Sequence, residues 1–134
     1  MNYWLMKTEP ETFSWDNLLT EGKTTWDGVR NYAARNHMRA MKKGDKALIY
    51  HSVSEKAVVG IAKISKEAFP DPSADDDTWS AVEVVPDKPL KIPVTLDQIK
   101  AEKTLKDMML IRIGRLSVMP VTKAEFDKIV SLGK

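Results

Sequence analysis

The sequence predicts one α+β domain, a curled sheet or small barrel with short helices between its strands. Three observations carry that prediction. The chain has 134 residues, the length of one ordinary domain, and one able to bury roughly two-thirds of its unfolded surface. Its strand and helix signals alternate in a mixed order, with five or six strands. It contains no repeat, low-complexity segment or linker that would divide it.

The elements follow in order. Residues 2–7, "NYWLMK", set Tyr3 and Leu5 against Trp4 and Met6 on opposite faces, so this strand reads as central, and Pro10 ends it. Ser14 is placed to cap a short helix that Gly22 closes. An extended piece at 24–27 leads to a helix over 31–42. There Ala34, Met38 and Met41 form a core stripe, and Gly44 is the expected stop. "KALIYHS" and "AVVGIAKIS" are strands of a hairpin, and Gly60 in the second marks a bulge or a close backbone approach. "FPDPSADDDT" reads as a solvated acidic loop. Residues 79–85 form a further strand, and Pro86, Pro89 and Pro93 make the next stretch extended and irregular. Thr95 with Gln98 and Thr122 with Glu125 match capping boxes for helices at about 96–102 and 123–132. The intervening "MLIRIGRLSVMPV" reads mostly as strand, kinked at Gly114.

Composition narrows the chemistry. Without cysteine there is no disulfide, thiolate nucleophile or Cys-based zinc site. The N-terminus does not read as a signal peptide, and no apolar run approaches the ~18 residues of a membrane span. A cytoplasmic location is expected, or a nuclear one in a eukaryote. The formal charge of +2 calls for a local basic site if the partner is an anion. His37 and His51 are the only histidines, and Ser52 beside His51 points to the opposite face of its strand, so the two do not make a nucleophile–base pair. No HExxH, GxSxG, P-loop or dinucleotide-binding motif occurs, and "DPSADDD" lacks the glycine and terminal Glu of a calcium loop. No catalytic residue, cofactor or metal is expected.

The segment "TWDGVRNYAARNHMR", Thr25 to Arg39, concentrates aromatic rings, guanidiniums and amides, including Arg30 and Tyr32. Arg35, Arg39 and Lys42 recur at helical spacing and form either a stripe for successive phosphates or a solvated flank. Trp26, before the turn signal Asp27-Gly28, is either core or a stacking platform for a base. Asn31 caps a helix or reads a base edge, while Lys7 and Glu9 around Thr8 read a donor–acceptor pattern or form a surface ion pair.

"YWLMKTEP", "WDGVRNYAARNHMRAMKKGDKALIYHS" and "VVGIAKI" together resemble the EVE domain of the PUA-like superfamily, as found in the proteins related to thymocyte nuclear protein. "FPDP", "WSAVEVV", "IPVTLDQIKA" and "GRLSVMPVTKAEFDKI" follow in the family's order, so the resemblance spans nearly the whole chain. It implies a small, curved, mostly antiparallel barrel with flanking helices. It also implies binding of nucleic acid, DNA or RNA, particularly at modified bases, by analogy with the related YTH domains and their aromatic cage. Carried over residue by residue, the resemblance points to Lys7, Thr8 and Glu9 at a base edge. Trp26 falls at the cage tryptophan, with Asn31 just past it and His51 and Ser52 on the next strand. Tyr32 joins the ligand-binding set, and Trp79 is the candidate second wall. Arg30, Arg35, Arg39 and Lys42 are the candidate phosphate ligands. Many family members read "RLSVQPV" where this chain has Met119, a soft apolar contact in place of an amide. A small-molecule or nucleotide-binding module on the same fold is the alternative. An enzyme acting on a base is a third reading, with Glu9 or His51 as its general base.

Overall fold

The computed structural model describes all 134 residues. Its strands are β1 (Tyr3–Thr8), β2 (Thr24–Trp26), β3 (Lys46–His51), β4 (Ala57–Pro70), β5 (Ser80–Thr95) and β6 (Val118–Val121). Its helices are α1 (Trp15–Glu21), α2 (Tyr32–Ala40), α3 (Leu96–Ala101), α4 (Met109–Arg112) and α5 (Lys123–Leu132), with a 3-10 turn at Lys103–Leu105. The strands form one mixed sheet in the order β2-β5-β4-β3-β1-β6. Only β1 and β3 run parallel; the other pairs are antiparallel. No helix is long and apolar enough to cross a membrane.

The first strand is interior, as its two apolar faces predict. It lies between β3 and β6, and Trp4, Leu5 and Met6 are all buried. β4 and β5 are long and repeatedly shift register, so they bend rather than run flat. The two ends of the strand order meet again in space, because residues of β2, the end of β1 and the approach to β6 line one cleft. The sheet therefore curls as the sequence predicts. One contiguous core fills it, with α2 packed on β4, β5 and β6.

Local chemistry explains most boundaries. Ser14, Thr95 and Thr122 each close a full capping box, and Gly22 ends α1 in the left-handed conformation. Gly60 permits the close approach expected of it: a Cβ there would lie 2.5 Å from the Trp15 ring. Three expectations are corrected. β5 does not stop at 85 but continues through Pro86, Pro89 and Pro93 to Thr95. Past Val84, β2 no longer pairs with it, so β5 has a free edge where missing N–H groups break no second ladder. Residues 109–112 are the helix α4 rather than strand, since a short apolar run carries no period that separates the two. Finally, α2 ends at Ala40. The buried Asp45 carboxylate accepts hydrogen bonds from the Lys42 N–H at 2.9 Å and Trp4 Nε1 at 3.0 Å, which pulls the chain out of the helix before Gly44.

Candidate nucleic-acid interface

A cleft of about 640 Å³ opens where the two ends of the open sheet approach each other. The end of β1 brings Lys7, Thr8 and Glu9; the following turn brings Thr12 and Phe13; β2 and its exit bring Thr24 through Arg30; Ser117 precedes β6. Most of the lining residues are polar. The apolar ones are Phe13, Trp26 and Val29. The Phe13 and Trp26 rings stand nearly perpendicular, 84° apart with centroids at 6.4 Å, and make a corner. Trp26 is only 8% exposed, so it belongs to the core as well as to the cleft. The core reading of this residue therefore holds, and its ring also borders the cleft.

The polar groups are held in specific ways. Thr8 Oγ1 donates to the Phe13 carbonyl at 2.7 Å and fixes the turn that carries the Phe13 ring. Phe13 itself precedes the cap Ser14, the staple position that orients chain entry into a helix. Lys7 Nζ donates to the Gly114 carbonyl at 2.7 Å and lies 5.8 Å from the Tyr50 ring centroid; burial lowers its pKa. It closes the cleft floor toward the β6 side and makes no ion pair with Glu9, whose side chain is exposed. Glu9 and Asp27 are thus the two carboxylates facing the cleft.

The mouth is fastened by a residue the sequence reading assigned to solvent. Asp71 is buried, not solvated. Its carboxylate accepts from the Gly28 N–H at 2.8 Å, from Arg30 Nη1 at 3.0 Å and from the Ser73 N–H and Oγ at 2.7 and 2.6 Å. Burial alone would raise its pKa, but the Ser73, Gly28 and Arg30 hydrogen bonds outweigh that and hold it at about 2. The Asp-Pro-Ser sequence is the signal that could have found this turn, since an Asp side chain takes the backbone N–H two residues on.

The remaining candidates do not gather at the cleft. Asn31 is the N-cap of α2, accepting the Ala34 N–H at 2.9 Å. His51 is buried behind the site: its Nε2 accepts the Trp15 N–H at 3.0 Å and its Nδ1 lies 3.1 Å from Glu55. Ser52 donates its backbone N–H to Thr8 and only braces the end of β1. Trp79, the candidate second wall, is not among the residues that line the cleft; the second ring there is Phe13. Trp79 lies outside, stacked on Tyr32 at 5.0 Å. The cation stripe is also divided. Arg30 lines the cleft, but Arg35 donates to the Thr78 carbonyl and Asn36, and Arg39 donates to Ser80 Oγ and Thr78. Lys42 is exposed beyond the helix end, so it does not extend their row. Met119 is fully buried in β6, so position 119 offers nothing to the cleft, and Ser117 is the nearby residue that does. No cluster of three or more His, Asp or Glu is arranged to hold a metal ion.

A curled six-stranded sheet with flanking helices defines a PUA-like α+β module. The EVE domain model matches residues 2–132, and the chain belongs to the EVE domain family. Thymocyte nuclear protein 1 of Mus musculus is 43% identical over 165 aligned positions, which take in 98% of this chain and 73% of its own length. The crystal structure of a protein from Agrobacterium tumefaciens superposes with a TM-score of 0.97 at 42% identity, covering 99% of this chain and 93% of that one. Human THYN1 protein, in complex with 5-methylcytosine containing DNA, superposes with a TM-score of 0.93 at 38% identity, covering 100% and 98%.

Proposed function

We propose that this chain is a non-catalytic nucleic-acid reader that admits one modified base, of the 5-methylcytosine kind, into the cleft at the end of β1. The observation that carries the reading is the corner of Phe13 and Trp26 above a polar floor, on a chain that superposes on human THYN1 protein bound to methylated DNA. A flat ring meets the aromatic corner, where stacking contributes about 1–3 kcal/mol per base. The Glu9 carboxylate accepts from an exocyclic amino group, the pairing by which carboxylates read cytosine. A methyl group that fills the apolar end adds about 0.8 kcal/mol. Arg30 supplies positive charge at the mouth. Extrusion of the base costs a few kcal/mol from a duplex and less from a single strand, so single-stranded or mismatched sites bind first. In this reading Glu9 serves only as a hydrogen-bond acceptor for the base edge, and His51 lies buried away from the cleft, its Nε2 taken by the Trp15 N–H.

The test compares oligonucleotides that differ only by cytosine or 5-methylcytosine at one position, by fluorescence anisotropy. The wild type is expected to prefer the methylated probe, and Glu9→Ala, an exposed change, is expected to weaken both probes while the fold persists. Trp26→Phe keeps a ring and retains part of the preference. Equal affinity for the two probes, with no effect of Glu9→Ala, would sink the proposal. One observation favours a second reading, a cleft for a free nucleotide: Arg35 and Arg39 turn their donors to the protein's own loop. A flat log K against log salt plot would support it, because phosphate tracking gives a steep one.

A further inference from the structure

We infer that Tyr32 and Trp79 form a second stacking site, outside the cleft, for the unpaired base next to the one inside. This inference rests on the nucleic-acid reading above. Tyr32 is 62% exposed at the first turn of α2. One face of its ring is backed by Trp79, with centroids 5.0 Å apart and planes 28° from parallel. The Arg35 guanidinium lies 5.0 Å from the Tyr32 centroid and 5.9 Å from that of Trp79. Had it covered the outer face of Tyr32, it would stand about twice as far from Trp79 as Tyr32 does. It therefore sits beside the two rings, and the outer face of Tyr32 is open.

The platform is built in advance. Arg35 Nη1 holds the Thr78 carbonyl at 3.0 Å, Arg39 adds a second bond to it, and the Trp79 carbonyl accepts the Asp71 N–H at 3.0 Å. The loop that carries Trp79 is thus fixed on both sides of the ring, and a ligand need not order it. Arg30 joins the two sites: it lines the cleft and lies 5.6 Å from the Trp79 centroid. A strand whose one base occupies the cleft passes Arg30 and presents its neighbour to Tyr32. Every base has a π-face, so this contact is independent of sequence, and the flanking guanidiniums favour a nucleic acid over a neutral aromatic ligand.

The experiment measures binding of a single-stranded oligonucleotide with one 5-methylcytosine, intact or with an abasic residue directly 5′ or 3′ to it. Tyr32→Ala is expected to weaken the intact probe about five-fold to a hundred-fold, and Tyr32→Phe to bind it as wild type. An abasic residue on one side is expected to weaken wild-type binding similarly but cause no further loss in Tyr32→Ala, the coupling a shared contact requires. Full-strength binding by Tyr32→Ala with an unchanged melting temperature overturns the inference and leaves the cleft reading standing. So does an abasic loss equal in wild type and Tyr32→Ala. Coupling between Tyr32 and the neighbouring base, with no preference for the methylated probe, keeps the platform and rejects modified-base recognition. Absence of binding to any probe rejects both.

Discussion

At one end of the loop spanning residues 71–79, a buried carboxylate collects donors from Gly28, Arg30 and Ser73; at the other, Arg35 and Arg39 reach neutral acceptors, the Thr78 carbonyl and the hydroxyl of the buried Ser80 that follows the loop. Both ends join the loop to the segment that follows Trp26, and both use arginine. Their energetics differ because the acceptors differ. A charge removed from water must find partners, so the Asp71 end is costly to disturb. A neutral acceptor at the protein surface loses less when its arginine is removed. The first end sets the shape of the cleft, and the second sets the position of an exposed aromatic pair.

The largest effect is therefore expected at Asp71. Asp71→Ala strands the Gly28 and Ser73 N–H groups and leaves Arg30 unpaired, at a cost of about 2–4 kcal/mol. A urea denaturation series measures it as a lower midpoint at unchanged slope. A loss under about 1 kcal/mol would mean the two ends of the loop are equivalent. The cleft preference should go with it, because the Gly28 turn that carries Trp26 into Arg30 has lost its tether.

The acid dependence is expected to be smaller and has a definite sign. The Asp71 pKa lies at about 2 in the folded protein, below its ordinary 3.8. A depressed carboxylate contributes stability above the unfolded value, and that stability is lost as pH falls from about 4 through 2. Discounted for water at the mouth, the contribution is about 1–2 kcal/mol. The stability gap between wild type and Asp71→Asn should be full at pH 5 and close toward pH 2. A gap that stays constant across this range would show that charge is not what Asp71 supplies.

These two regions were not equally legible in the sequence. The central strand, the capped helices, the hairpin and the glycine against Trp15 each followed from a local rule acting over a few residues. The resemblance places Lys7, Thr8, Glu9 and Trp26 in one pocket with Asn31, His51 and Ser52, and the structure gathers only the first four in the cleft, beside Arg30. What the sequence hid is long-range. The acidic loop has a solvated composition, and only the fold reveals that its first Asp meets Gly28, 43 residues away. Phe13 hides in the same way, because a lone Phe in a turn has no period. Tyr32 and Trp79 fall outside the cleft, since sequence order does not say on which side of Arg30 a ring will fall. The arginines of α2 have the right spacing for phosphates, and spacing is silent on what already occupies their donors.

The smallest expected effect sharpens the comparison from its other end. The double change Arg35→Ala with Arg39→Ala should lower stability by only about 1 kcal/mol, since the lost bonds are partly exposed. It should also loosen residues 71–79, read as faster limited proteolysis there than in wild type. Its effect on oligonucleotide binding separates two roles for the same guanidiniums. If both met phosphates, the log K against log salt slope would fall in magnitude by about 1.4–1.8. Because their donors face Thr78, Ser80 and Asn36, the expected fall is smaller than that. Any weakening should instead be largely independent of salt, coming from a Trp79 and Tyr32 pair that is no longer held in place. A slope change of the full size would assign the helix to the phosphate backbone and leave the loop contacts as what these side chains do only when no nucleic acid is bound.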